Sequence, residues 1–145
     1  MKRLLLLVPV FAVLLVVAVR AQGAGNGMTL IEHATTDATT DTGAAGDSAG
    51  DILTFANDLY DAADHKQVGT DQGYCVRVVA GSSYECTWTN QLAGGDIVVQ
   101  GPFYDTKGST LAITGGTGKY RDARGTMQLQ SRANGTKYAF TFRLQ

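Results

Sequence analysis

Few residues in this chain have the types that chemistry needs, and most of those fail on spacing. Gly115-Gly116-Thr117-Gly118-Lys119 has the outline of a phosphate loop, yet Tyr120 stands where GxxxxGK[ST] requires Ser or Thr. Arg121 occupies the last position of the alternative GxGxxG pattern, so the stretch reads as a glycine-rich corner between strands. Asp37, Asp41, Asp47 and Asp51 crowd together without the D-x-D-x-D-G spacing of a calcium loop, and read as a solvated acidic loop. His33 and His65 are too far apart to pair as metal ligands and read as solvent-exposed. Neither a metal nor an organic cofactor is expected. Cys75 and Cys86 lack the placed histidine that a thiol nucleophile requires. Asn134-Gly135-Thr136 satisfies the glycosylation pattern, but the dipeptide Asn-Gly already accounts for itself as turn chemistry.

The compartment follows from the first residues. Lys2 and Arg3 precede an apolar stretch from Leu4 to Val19, and Val19-Arg20-Ala21 forms a small-residue cleavage site. This is the pattern of a secretory signal peptide over residues 1–21. The stretch falls short of the ~20 apolar residues of a spanning helix, so no stable membrane insertion is expected after cleavage. Residues 22–145 then form one domain, large enough for an independent core. Cleavage removes three of the 12 basic residues and leaves 13 acidic ones, moving the net charge from −1 to −4. That balance argues against a nucleic-acid partner, which would demand a basic stripe. An oxidising compartment lets disulfides persist.

The elements that must position any site are strands. Residues 34–50 are almost wholly Thr, Ala, Asp, Gly and Ser, cannot bury themselves, and read as a mobile loop. On either side, period-2 runs predict eight strands: Met28–His33, Ile52–Asn57, Gly73–Ala80, Tyr84–Leu92, Asp96–Phe103, Thr110–Thr114, Gly125–Arg132 and Lys137–Leu144. Eight short strands separated by tight turns imply a barrel or a sandwich. The last hairpin has a testable register. A type I′ turn at Asn134-Gly135 sets Met127 opposite Phe142, Leu129 opposite Phe140 and Ser131 opposite Tyr138, which makes one face of both strands apolar.

Five segments in order carry a family resemblance: GDILTFANDLYD (Gly50 to Asp61), VGTDQGYCV (Val68 to Val76), IVVQGPFYD (Ile97 to Asp105), LAITGGTGKYRDARG (Leu111 to Gly125) and KYAFTFRL (Lys137 to Leu144). Together they resemble the allene oxide cyclase and dirigent superfamily, and FANDLYD, QGPF and LAITGG resemble its cyclase side more closely. The resemblance implies an eight-stranded antiparallel β-barrel around a cavity for one small, mostly apolar molecule. The function it implies is stereoselective cyclisation, an isomerase activity, or dirigent-type coupling, through shape control and a few polar groups. A non-catalytic ligand-binding or structural barrel stays open as the alternative. Barrels of this family form trimers through their exteriors, which leaves a homotrimer open here.

Residue by residue, Asn57 matches a cyclase asparagine that holds a water against the epoxide oxygen, and Leu53 and Phe55 share its strand face. A strand-end asparagine bonded to backbone is the plainer account. Glu32 aligns with the carboxylate that stabilises a developing cation. An exposed glutamate on an edge strand is its plainer account. Ala34 stands where the cyclases carry a second asparagine, and Phe103 replaces a cyclase tyrosine, keeping its shape without its hydroxyl. Tyr104 points to the opposite face of that strand. Cys75 matches a cavity cysteine, and Tyr84 belongs to the same expected ligand wall. A hairpin centred on Ala80-Gly81 sets Cys75 opposite Cys86, whereas one centred on Gly81-Ser82 shifts the register by two; with export, a disulfide is expected. Arg77, Trp88 and Asn90 share the cysteine face, where an Arg–Trp cation–π pair, a ligand contact or core support are all open.

Overall fold

The computed structural model describes residues 27–145. The expected signal segment, residues 1–21, lies outside the described residues. Ten strand segments follow one another: β1 (Gly27–His33), β2 (Ala38–Thr40), β3 (Ile52–Phe55), β4 (Asp58–Tyr60), β5 (Gln67–Val79), β6 (Ser83–Leu92), β7 (Gly95–Tyr104), β8 (Ser109–Gly116), β9 (Gly125–Arg132) and β10 (Lys137–Leu144). Every pairing is antiparallel. The sheet runs from β2 round to β6 and closes where β6 pairs with β5. Because β1 with β2, and β3 with β4, act as two strands each broken once, the ten segments build the expected eight-stranded barrel.

The β9–β10 hairpin has the register read from its turn: Met127 faces Phe142, Leu129 faces Phe140 and Ser131 faces Tyr138. Asn134 and Gly135 adopt φ of +57° and +82°, and the Thr136 N–H donates to the Ala133 carbonyl at 3.3 Å. These are the positive φ values that a type I′ turn demands. Met127, Leu129, Phe140 and Phe142 are buried. The corner 115–118 packs against the Gly94-Gly95 turn: Gly118 has φ +54°, and a Cβ on it would meet the Gly94 carbonyl oxygen at 2.2 Å. Its glycines therefore serve chain packing.

Three expectations are corrected. The strand Ile52–Asn57 breaks at residues 56–57 and resumes as β4. The strand Gly73–Ala80 begins at Gln67 and ends at Val79. Its first half was hidden because Gly69, Asp71 and Gly73 alternate with outward residues, so no apolar periodicity marks the inward face. Residues 34–50, expected as a mobile loop, contain β2, which pairs with β3. Carboxylates organise this stretch in place of apolar burial. Asp51 is buried and accepts the N–H groups of Thr42 at 2.9 Å and Ser48 at 2.8 Å, which hold its pKa below the usual carboxylate range.

Candidate functional site in the barrel pocket

Inward residues of β1, β3, β5, β6, β7, β9 and β10 surround a pocket of about 310 Å³ inside the barrel. Leu53, Phe55, Cys75, Tyr84 and Phe103 all line it, as does Glu32. Asn57 does not. Trp88 and Phe140 complete the aromatic wall, with ring centroids 5.6 Å apart, and Phe55 meets Trp88 edge-on at 5.9 Å. Gly73 lets β5 approach β6 beneath that indole, since a Cβ there would meet Trp88 Cβ at 2.3 Å. A wider hollow of about 550 Å³ lies beside the pocket and shares Phe103, Asp105, Leu129 and Tyr138 with it.

The two breaks in the strands lie side by side, and one side chain stitches them. Asn57 Oδ1 accepts from the Thr35 N–H, the Thr36 N–H and the Thr36 hydroxyl, each at 3.0 Å. Its Nδ2 donates to Glu32 Oε1 at 2.9 Å and Asp37 Oδ1 at 2.8 Å. The amide, 1% exposed, replaces the ladder bonds lost at the break. Every bond it can form goes to the protein, so Asn57 acts on the pocket by holding Glu32 and Asp37.

Glu32 is 5% exposed and sits between β4 and β10, which corrects the reading of an exposed edge residue. Burial pushes its carboxyl up to about 9; the charges of Asp71 and Asp37 add to this, and the Asn57 amide opposes it. At neutral pH it is therefore protonated, where the resemblance implied an anion. Asp71, 1% exposed, is raised to about 7, again chiefly by burial.

Opposite this acid group lies a cation. Arg77 stacks on the Tyr84 ring, its guanidinium carbon 3.7 Å from the centroid. Its Nη1 donates to both oxygens of Asp105, at 2.8 and 2.7 Å, and Asp47 from the 34–50 segment pairs with its Nε at 2.7 Å. Burial alone would lower the pKa of this group, but Asp105, Tyr84 and Asp47 together outweigh it and the guanidinium stays charged. Its aromatic partner is Tyr84, and Trp88 packs instead on Phe55 and Phe140. Asn90 is fully buried and donates to the Ile97 carbonyl at 3.1 Å, as core support. Cys75 and Cys86 are bonded and face each other, as a hairpin centred on Ala80-Gly81 requires. A bulge at Val78 lengthens the connection by one residue. Closing this ~12-residue loop stabilises the fold by roughly 2–3 kcal/mol in the chain-entropy model.

Sequence reasoning missed four lining or supporting residues: Asp37, Asp71, Asp105 and Tyr138. Tyr138 was within reach, since the hairpin register puts it on the inward face two residues before Phe140. It packs edge-on against Phe103 at 5.8 Å and offers a phenol beside the position where Phe103 lacks one. Burial, with Asp37, Glu32 and Asp105, raises its pKa. His33 is also corrected: it is only partly exposed, stacks on Tyr60 at 4.0 Å and hydrogen-bonds Asp64 at 2.6 Å on the outside of the barrel. Tyr104 lies outside the inner pocket, beneath the Lys107 ammonium.

The family model described as allene oxide cyclase matches residues 30–145. A solved pyocyanin demethylase is 32% identical, with a TM-score of 0.70 over 82% of this chain and 99% of that one. A pterocarpan synthase dirigent protein is 17% identical, with a TM-score of 0.62 over 82% of this chain and 95% of that one. The Diels–Alderase AbmU from Streptomyces koyangensis is 18% identical, with a TM-score of 0.66 over 82% of this chain and 64% of that one. The last two share the fold alone. A family match that spans nearly the whole described barrel makes this chain a member of the allene oxide cyclase family.

Proposed function

We propose that this is an exported barrel that binds one small, mostly apolar molecule in its pocket and steers its cyclisation or coupling. The observation that carries the reading is Glu32, a neutral carboxyl opening into a pocket whose wall includes six aromatic side chains. The volume, about 310 Å³, lies at the lower end of the range that small-molecule pockets occupy. A folded ligand is held by Trp88, Phe55 and Phe140, while Glu32 donates a hydrogen bond to an oxygen that gains negative charge. In an epoxide, the C–O bond opens as that oxygen accepts the hydrogen bond, and a C–C bond closes the ring with no atom gained or lost. Donors fixed in a water-poor site lower such a barrier more than they would in water. The disulfide supports export, because such bonds persist in oxidising compartments.

Binding of a flat aromatic of the kind named for the 32% identical barrel is a second reading of the same pocket. The non-catalytic alternative draws support from Phe103, which has no hydroxyl, and from the full commitment of the Asn57 amide. Incubation with an allene oxide, with pyocyanin as a parallel substrate, separates these readings. An enantiomeric excess that Glu32→Gln abolishes supports guided cyclisation, and a racemic product removes it. Trp88 is the chain's single tryptophan, so quenching of its fluorescence without turnover identifies a binding barrel.

A further inference from the structure

Asp71 has no place in the pocket wall, yet it is one of the most deeply buried charged groups of the fold. Its Oδ1 accepts the Asn57 N–H at 3.2 Å, and its Oδ2 is buried with no protein donor. Asn57 also donates through Nδ2 to Glu32, so one residue draws both carboxyls together from its two ends. Two carboxylates cannot sit dry and adjacent as anions; one proton between them removes the repulsion and gives Asp71 Oδ2 its missing partner.

We propose that Asp71 is a positioning residue for Glu32: the two carboxyls share a proton while the pocket is empty, and Glu32 turns that proton from Asp71 to a ligand oxygen when one enters. This rests on the reading of the pocket as a ligand site. When the ligand oxygen gains charge, the Glu32 O–H bond lengthens or breaks as a bond from hydrogen to that oxygen forms. The pair is then left with two negative charges, which favours return of the proton once the charge on the ligand collapses. The acid thus recovers its proton each cycle without a second donor. Asp37 and Tyr138 also face this pair; Asp37 adds negative charge, and the Tyr138 phenol is uncharged at neutral pH.

The chain has only two glutamates, Glu32 and Glu85, so ¹³Cδ-glutamate labelling of the intact protein gives two carboxyl resonances. Glu32 should stay protonated past neutrality and show two inflections as its partner titrates. In folded Asp71→Asn, the Glu32 midpoint should fall by at least about one unit and the second inflection should vanish. An unchanged midpoint in that variant overturns the proposal. If Asp71→Asn does not fold, the wild-type curve decides, since a single inflection at an ordinary midpoint overturns it equally. The titration needs no ligand, so failure of the pocket to bind or turn over a substrate is read separately by Trp88 quenching and product analysis.

Discussion

The barrel interior divides into a packed region and a hollow one, and the same strands supply both. β10 contributes Phe142 to the packed region and Tyr138 to the pocket; β7 contributes Ile97 and Val99 to the first and Phe103 to the second. Leu59, Ile97, Val99, Met127 and Phe142 are completely buried and line neither of the two hollows. Around the pocket Leu53, Phe55, Phe103 and Tyr138 point inward but are only partly buried. Position along a strand, not the strand itself, decides which task a residue has. The packed region can therefore hold the fold while the hollow one carries polar groups, the neutral Glu32 carboxyl and the Arg77 guanidinium, that a close-packed core would not accept.

The largest expected effect tests that division directly. Phe142→Ala should cost about 3–5 kcal/mol, the range for a buried aromatic whose loss leaves a void. Phe103→Ala should cost about 1 kcal/mol or less, because its ring already borders empty space. Urea unfolding followed by Trp88 fluorescence measures both, and equal costs would erase the distinction.

Asn57 stands on the border between the regions. Asn57→Ala strips the acceptor from two backbone N–H groups and the donor from Glu32 and Asp37, with an expected cost of about 2–3 kcal/mol. Amide exchange at Thr35 and Thr36 should speed up far more than at Met127. A uniform change across the barrel would show instead that Asn57 supports the whole core.

The packed region was the more legible in sequence. Met127, Leu129, Phe140 and Phe142 alternate beside an Asn-Gly turn, and apolar alternation is what burial writes into a strand. The pocket wall was partly legible, through the family motifs and the Cys75–Cys86 register. The polar group behind Glu32 was not. Asp71 lies on a strand whose inward positions are Gly, Asp and Gly, and Asp37 lies in a stretch whose composition signals only solvent. Their roles come from the paired breaks at 34–37 and 56–57, a long-range event that no local spacing encodes.

A buried acid also makes the hollow region sensitive to pH. Both Glu32 and Asp71 hold their protons more tightly folded than unfolded, so the native state binds more protons above the ordinary carboxylate range. Stability from this pair is fully present below about pH 4 and declines as pH rises through about 7 and toward about 9. Glu32→Gln should flatten that decline and gain about 1–2 kcal/mol at pH 8 relative to wild type. Thermal unfolding at pH 5 and pH 8 checks it; a variant with the wild-type slope would show that the pair is not strained.

The smallest effect concerns the other tether of the 34–50 segment. Asp47 reaches Arg77, but it is 44% exposed, and Arg77 keeps both oxygens of Asp105 without it. An exposed partner of an already paired cation adds little, so Asp47→Asn should cost under about 1 kcal/mol, and 0.5 M salt, with a Debye length of only a few Å, should remove most of the difference. Unfolding of both proteins at low and high salt makes the comparison. A cost above that of Phe103→Ala, persisting in salt, would mean that the segment braces the hollow region from outside and that its side chains are less free than their exposure indicates.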